Sequence, residues 1–200
     1  MDLHPLTLKP LPYQSSLPQR SHSDIDLLVV HCTELPDLET ARVYGERLLY
    51  PESGTGNSGH FYIDRDGALE QWVDPGRIAH HVRGFNPRSI GVELVNFGRY
   101  PHWFHSRHQQ MTEHYPEAQL VALLALIAQL RTTFPQLRWI AGHADLDGEW
   151  LAAEDDDKIR IRRKLDPGPL FPWPLVLQQC GLEPYTELPC TAPASHSGSP

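Results

Sequence analysis

Basic charge and long apolar runs are both scarce in this chain. Seventeen Lys and Arg stand against 25 Asp and Glu, a formal net charge of -8. A general nucleic-acid binder needs Lys/Arg-rich surface to displace counterions from phosphates, so no nucleic-acid partner and no polyanionic substrate are expected. The longest apolar run, VALLALIAQL at 121–130, is well short of the roughly 20 residues of a membrane helix, and its neighbours belong to an amphipathic helix. No membrane span is expected. The amino end is interrupted by Pro5, Pro10, Pro12 and Pro18 and has no basic start followed by a continuous apolar stretch, so it does not read as a secretory leader. Cysteine is sparse too: Cys32, Cys180 and Cys190 make no metal-type pair, and an odd count gives no complete disulfide framework. A cytoplasmic location is the expectation, with a periplasmic or released protein as the alternative, in which Cys180 and Cys190 are able to pair.

What is present suffices for one core. Two hundred residues with 40% hydrophobic content predict a single catalytic domain, over 25–177, with an N-terminal extension at 1–24 that wraps the domain or stays mobile and a disordered tail at 178–200. IDLLVVHCT reads as a strand buried on both faces with His31 near its end. LETARVYGERLL has helical spacing, capped by Asp37. HFYIDRDGALEQWV reads as a hairpin turning at Asp66–Gly67, and SIGVELVN as a short strand that sets Glu93 opposite Val92 and Leu94. From Pro116 to Arg131 the residues Ala118, Val121, Leu124, Ile127 and Leu130 follow a helical period. LRWIAGH supplies another buried strand ending at His143, followed by a long acidic insertion. Strands and helices in mixed order predict an α/β (mixed α+β) fold, a central mixed sheet flanked by helices, with the candidate site at strand ends. A monomer is expected.

A catalytic zinc needs three imidazole or carboxylate ligands and one open position. His31 and His143 end buried strands, and Asp166 lies in a loop stiffened by Pro167 and Pro169, so all three are able to converge. Singly, each has an ordinary reading: a hydrogen-bonded core histidine, or an aspartate that forms a turn before proline.

The blocks LLVVHCT, SGHFYIDRDGALEQWV, IAHHVRGFNPRSIGVELVN, IAGHADL and RKLDPGPLFPW, in that order, resemble the zinc-dependent N-acetylmuramoyl-L-alanine amidases. These include the AmpD-like and phage lysozyme-type amidases and, more distantly, the peptidoglycan recognition proteins. The resemblance covers about residues 25 to 177. It implies one Zn2+ per chain held by His31, His143 and Asp166, with Glu93 and Lys164 catalytic. It further implies hydrolysis of the amide between N-acetylmuramic acid, or its anhydro form, and L-alanine, in cell wall or its fragments. Glu93 is then the proton carrier and Lys164 the cation that meets the carbonyl oxygen. The ordinary alternatives are a Glu93 paired with Arg88 or Arg99, and a Lys164 that is one of several basic residues in RIRRK.

His81 and Asn96 are the candidate substrate contacts. His60 fits a hydrogen bond behind the ligands better than a fourth ligand, and His102, His105 and His108 fit a groove wall better than a second metal site. Phage lysozyme-type members carry a tyrosine where this chain has Gly59, which leaves the proton work to Glu93. Two other readings compete: a peptidoglycan-binding module that has lost catalysis, and a cysteine hydrolase using Cys32. Binding-only relatives typically lose a ligand. Cys32, next to His31 on one strand, points to the opposite face.

Overall fold

The computed structural model describes residues 4–186. Strand β2 (Leu27–Cys32) is buried along its whole length. Upstream, β1 (Thr7–Leu8) lies on the surface. Downstream come β3 (Phe61–Ile63), β4 (Leu69–Gln71), β5 (Ser89–Leu94), β6 (Trp139–Gly142) and, near the carboxyl end, a short β9 (Glu183–Pro184). Together they form one seven-stranded sheet in the order β1-β4-β3-β5-β2-β6-β9. All neighbours are parallel except the β3–β4 hairpin, whose turn contains Gly67 at φ +89°, a conformation that favours glycine. The mixed sheet read from the sequence is therefore the observed one. Parallel strands are covered on both faces, which is why LLVV shows no polar alternation.

Alternation decides which side of β2 carries chemistry. Leu28, Val30 and Cys32 join Ile90, Val92 and Leu94 in the main core beneath the helices α2 (Glu117–Thr133) and α4 (Trp173–Cys180). Leu27 and Val29 pack with Val82 and Ala141 on the other face, and His31 emerges on that same side. Helix α1 (Leu38–Gly45) is capped as expected, Asp37 accepting from the Thr40 N–H at 2.6 Å.

Several details depart from the sequence pattern. The face that α2 buries runs through Leu120, Leu123, Ile127 and Leu130, while Ala118, Val121 and Leu124 are half-buried. Because α2 is apolar on nearly all sides, the periodicity marks a helix without choosing its orientation. Gln119 is fully buried, its amide donating to the carbonyls of Ile63 and Val95 at 2.9 and 3.0 Å. The acidic insertion is not a plain loop: β7 (Trp150–Ala152) and β8 (Arg160–Arg162) form a separate antiparallel hairpin with the acidic run at its exposed tip.

The folded unit also extends past residues 25 and 177. Leu11, Tyr13 and Leu17 are buried, and the Tyr13 hydroxyl donates to the Gly45 carbonyl at 2.7 Å. At the other end α4 continues to Cys180 and β9 pairs with β6. Of the tail expected over 178–200, residues 178–186 are thus part of the described fold, and 187–200, with Cys190, lie outside the described residues. No described helix is long and apolar enough to cross a membrane.

Candidate metal centre

His31 of β2 stands in register with Glu93 of β5, and Glu93 with Tyr62 of β3, so three polar side chains line up across adjacent strands on one face. His143 follows β6 and opens the short helix α3 (His143–Leu146). The loop carrying Asp166 is tied to it, since the Ala144 N–H donates to the Asp166 carbonyl at 2.9 Å. Tyr115 secures the same loop, donating to the Pro167 carbonyl at 2.6 Å.

These elements bring His31, His143 and Asp166 together. The two Nδ1 atoms lie 3.0 Å apart, and Asp166 Oδ2 is 3.0 Å from one and 3.1 Å from the other. All three residues are buried, and among the described residues no other His, Cys, Asp or Glu trio comes this close. Burial lowers the His31 pKa to about 4, against its hydrogen bond to Asp166, so the imidazole is neutral at pH 7. Burial raises the Asp166 carboxyl, but His143 and the two histidine hydrogen bonds win and hold it well below the usual carboxylate range. Asp166 Oδ1 is buried without a partner. Lone pairs thus converge in a dry corner with no shared proton donor to satisfy them all. Imidazole nitrogens and a carboxylate oxygen about 3 Å apart suit one small divalent cation bound at about 2 Å. The donor set fits a metal.

Glu93 lies beside this cluster without joining it, Oε1 being 4.0 Å from His31 Nδ1. Burial, and then the charge of Asp166, push its pKa up to about 8, with Lys164 opposing. The salt bridges that would have made it structural are absent: Arg88 binds Asp26, and Arg99 binds Glu34 at 2.7 and 2.8 Å. Gly59 makes room for it, because a Cβ at that position would come within 2.8 Å of Glu93 Cγ. Lys164 lines the same cavity, of about 750 Å³, which also meets Tyr62, Trp103 and Phe104.

Other expectations fare unevenly. Asn96 is 1% exposed and takes no part in the cavity wall; its amide donates to the Glu113 carbonyl and its oxygen accepts from the Gly98 N–H, so it shapes a turn. This corrects its assignment as a substrate contact. His81 borders the cavity, but both its ring nitrogens are engaged, by His31 at 2.9 Å and Ser89 at 3.2 Å. His60 stands behind the cluster: Nδ1 accepts from the Gly91 N–H at 3.0 Å, and Nε2 is 3.1 Å from the Arg77 carbonyl. His102, His105 and His108 stack on one another at 4.7 to 6.1 Å, and His105 Nδ1 is 3.3 Å from Asp155; their neighbours Trp103 and Phe104, not the histidines, reach the cavity. Cys32 faces the main core, where burial pushes its thiol pKa well up, so it is no ready nucleophile. The sequence reading missed Ser89 and Tyr62. Period-two spacing from Glu93 would have found Ser89 on the same face of β5.

Comparison with known proteins agrees with this geometry. The profile of the N-acetylmuramoyl-L-alanine amidase family matches residues 21–169. The endolysin of Enterobacteria phage K11 is 30% identical over 115 residues, covering 57% of this chain and 72% of the phage protein. The endolysin of Escherichia phage T7 is 34% identical over 77 residues, covering 38% of this chain and 51% of its own, so the match spans about half the length of that relative. Among solved structures, the N-acetylmuramyl-L-alanine amidase AmiD from E. coli superposes with a TM-score of 0.59 at 24% identity, covering 83% of this chain and 61% of AmiD. That structure holds anhydro-N-acetylmuramic acid-L-Ala-D-gamma-Glu-L-Lys, described as the substrate of AmiD.

Proposed function

The chain belongs to the N-acetylmuramoyl-L-alanine amidase family, and from that premise we propose that it is a zinc-dependent hydrolase of the amide joining N-acetylmuramic acid, or its anhydro form, to L-alanine. One observation carries the reading: the buried trio of His31, His143 and Asp166 with a proton-carrying carboxyl, Glu93, 4.0 Å from it. All three donors are kept, which argues against a binding-only module. The substrate of AmiD supports a muropeptide with an intact lactyl–alanine amide.

In this mechanism His31, His143 and Asp166 hold one zinc. Bound there, zinc supplies Lewis acidity that acidifies water and polarises a carbonyl. Glu93, whose proton affinity lies near neutrality, takes the proton of the attacking water and passes it to the departing alanine nitrogen. Lys164 faces the carbonyl oxygen as negative charge grows on it. The cavity orients the sugar and stem peptide between Tyr62, Trp103 and Phe104.

Elemental analysis tests the centre. About one zinc per chain is expected, lost together with hydrolysis on chelation and restored with it on zinc addition. Stoichiometric zinc persisting in the His31→Ala, His143→Ala double variant contradicts the site as assigned.

A further inference from the structure

We propose that His81 and Ser89 form a hydrogen-bond relay that locks His31 in the tautomer a metal ligand needs, making His81 a positioning residue and not a substrate contact. His31 turns Nδ1 toward His143 and Asp166, so its Nε2 must find a partner on the far side of the ring. That partner is His81 Nδ1, at 2.9 Å. His81 Nε2 is in turn 3.2 Å from Ser89 Oγ, and Ser89 Oγ donates to the Phe85 carbonyl at 2.8 Å.

A carbonyl only accepts, and this sets the direction of every proton in the chain. The Ser89 hydrogen goes to Phe85, leaving its oxygen to accept. His81 therefore carries hydrogen on Nε2 and offers a lone pair on Nδ1. His31 places its own hydrogen on Nε2, and its Nδ1 is left bare, aimed at His143 and Asp166. No other arrangement of neutral rings satisfies these three contacts, and it leaves the His31 Nδ1 lone pair facing the Asp166 carboxylate, two acceptors that a cation between them satisfies.

The surrounding structure holds the relay in place. His81 and Val82 both donate their backbone N–H groups to Asn86 Oδ1, at 3.0 and 2.8 Å. The His81 ring lies directly over Gly91, where a Cβ would come within 2.6 Å of Nδ1. His60 packs edge-on against the ring, with centroids 5.5 Å apart. Ser89, Gly91 and Glu93 are alternate residues of β5, so one face of one strand supplies the end of the relay, its floor and the proton carrier. His143 has no such support: its Nε2 is 4.0 Å from Asp147 Oδ2, beyond hydrogen-bond reach.

The proposal rests on the zinc reading above, because without a cation the Asp166 carboxylate, which only accepts, draws a hydrogen onto His31 Nδ1. Nitrogen NMR of the zinc-loaded protein should show His81 protonated on Nε2, the tautomer that accepts from His31 and donates to Ser89. Zinc affinity, measured by competition with a chromogenic chelator, should fall by about 10- to 100-fold in His81→Leu, the usual scale for groups that orient a ligand. His81→Gln, whose amide both accepts and donates, should recover most of that loss. Gly91→Ala should weaken zinc when His81 is present and add little in the His81→Leu background, as for residues sharing one interaction. At saturating zinc, the KM for a muropeptide should move by less than about twofold in His81→Leu, whereas loss of a substrate contact raises it. Should His81→Leu fail to fold, Ser89→Ala is read in the same way, with a loss of about threefold or more expected from removing the end of the relay. A wild-type chain that binds no zinc overturns the metal centre and the relay with it, whereas zinc bound equally well by the wild type and the variants overturns the relay alone. His81 protonated on Nδ1 in the zinc-loaded protein, or zinc affinity in the folded variants within about twofold of wild type, overturns the relay.

Discussion

In the proposed mechanism Glu93 and Lys164 divide the work of one reaction, and their difference is visible in what surrounds them. Glu93 is 15% exposed, has no basic partner and keeps a proton near neutrality, which suits transfer rather than attraction. Lys164 lines the same cavity. Glu93→Gln keeps shape and removes the base, so turnover should fall by about 100-fold or more with zinc retained. Lys164→Ala should raise the barrier by about 3 kcal/mol, again with zinc retained and with kcat affected more than KM. Steady-state kinetics on zinc-loaded variants decides both: near-normal turnover in Glu93→Gln removes it from the mechanism, and loss of zinc in Lys164→Ala makes that residue structural. At this scale the sequence was most legible where a residue's neighbours along the chain determine its direction. Alternation on β2 and β5 set His31 and Glu93 on one face and Cys32 on the other. It was least legible where the partner is remote. His81 meets His31 across 50 residues, and Asn96 turns inward to Glu113, neither of which local pattern encodes.

Elements with strong local signals, the β3–β4 hairpin, the Asp37-capped helix α1 and the buried strands β2, β5 and β6, follow the sequence directly. Elements whose stability comes from docking do not. The proline-interrupted N-terminal segment has no period to read, yet Leu11, Tyr13 and Leu17 are 2%, 5% and 2% exposed, and Trp72 packs in the same cluster. Each such side chain contributes about 1.5–3 kcal/mol when removed from water, before the cost of ordering the segment is subtracted. Deleting residues 1–18 should therefore lower the midpoint of urea unfolding and destabilise the protein by a few kcal/mol. An unchanged midpoint would mean that the segment rests on the domain without supporting it. The β7–β8 hairpin escaped notice for a related reason. Its strands are three residues each, and the only alternation, at 158–162, is short and follows an acidic run, so no apolar run announces it.

Across the whole molecule, five residues from four separate segments meet because parallel strands bring their carboxyl ends to one edge of the sheet. β2 delivers His31, β5 delivers Glu93, β6 leads into His143, and the loop after the β7–β8 hairpin carries Lys164 and Asp166 to the same cavity. Separate strands and loops each supply part of one centre, and this is why separated motifs are more informative than any single histidine. What remains central is the bond that is cut. The most direct measurement is mass analysis of the products when zinc-loaded protein acts on a defined muropeptide, beside an insoluble cell-wall preparation. A sugar bearing a free lactyl carboxylate, together with a peptide bearing a free L-alanine amine, is the expected result; cleavage within the peptide, or between the sugars, would contradict it.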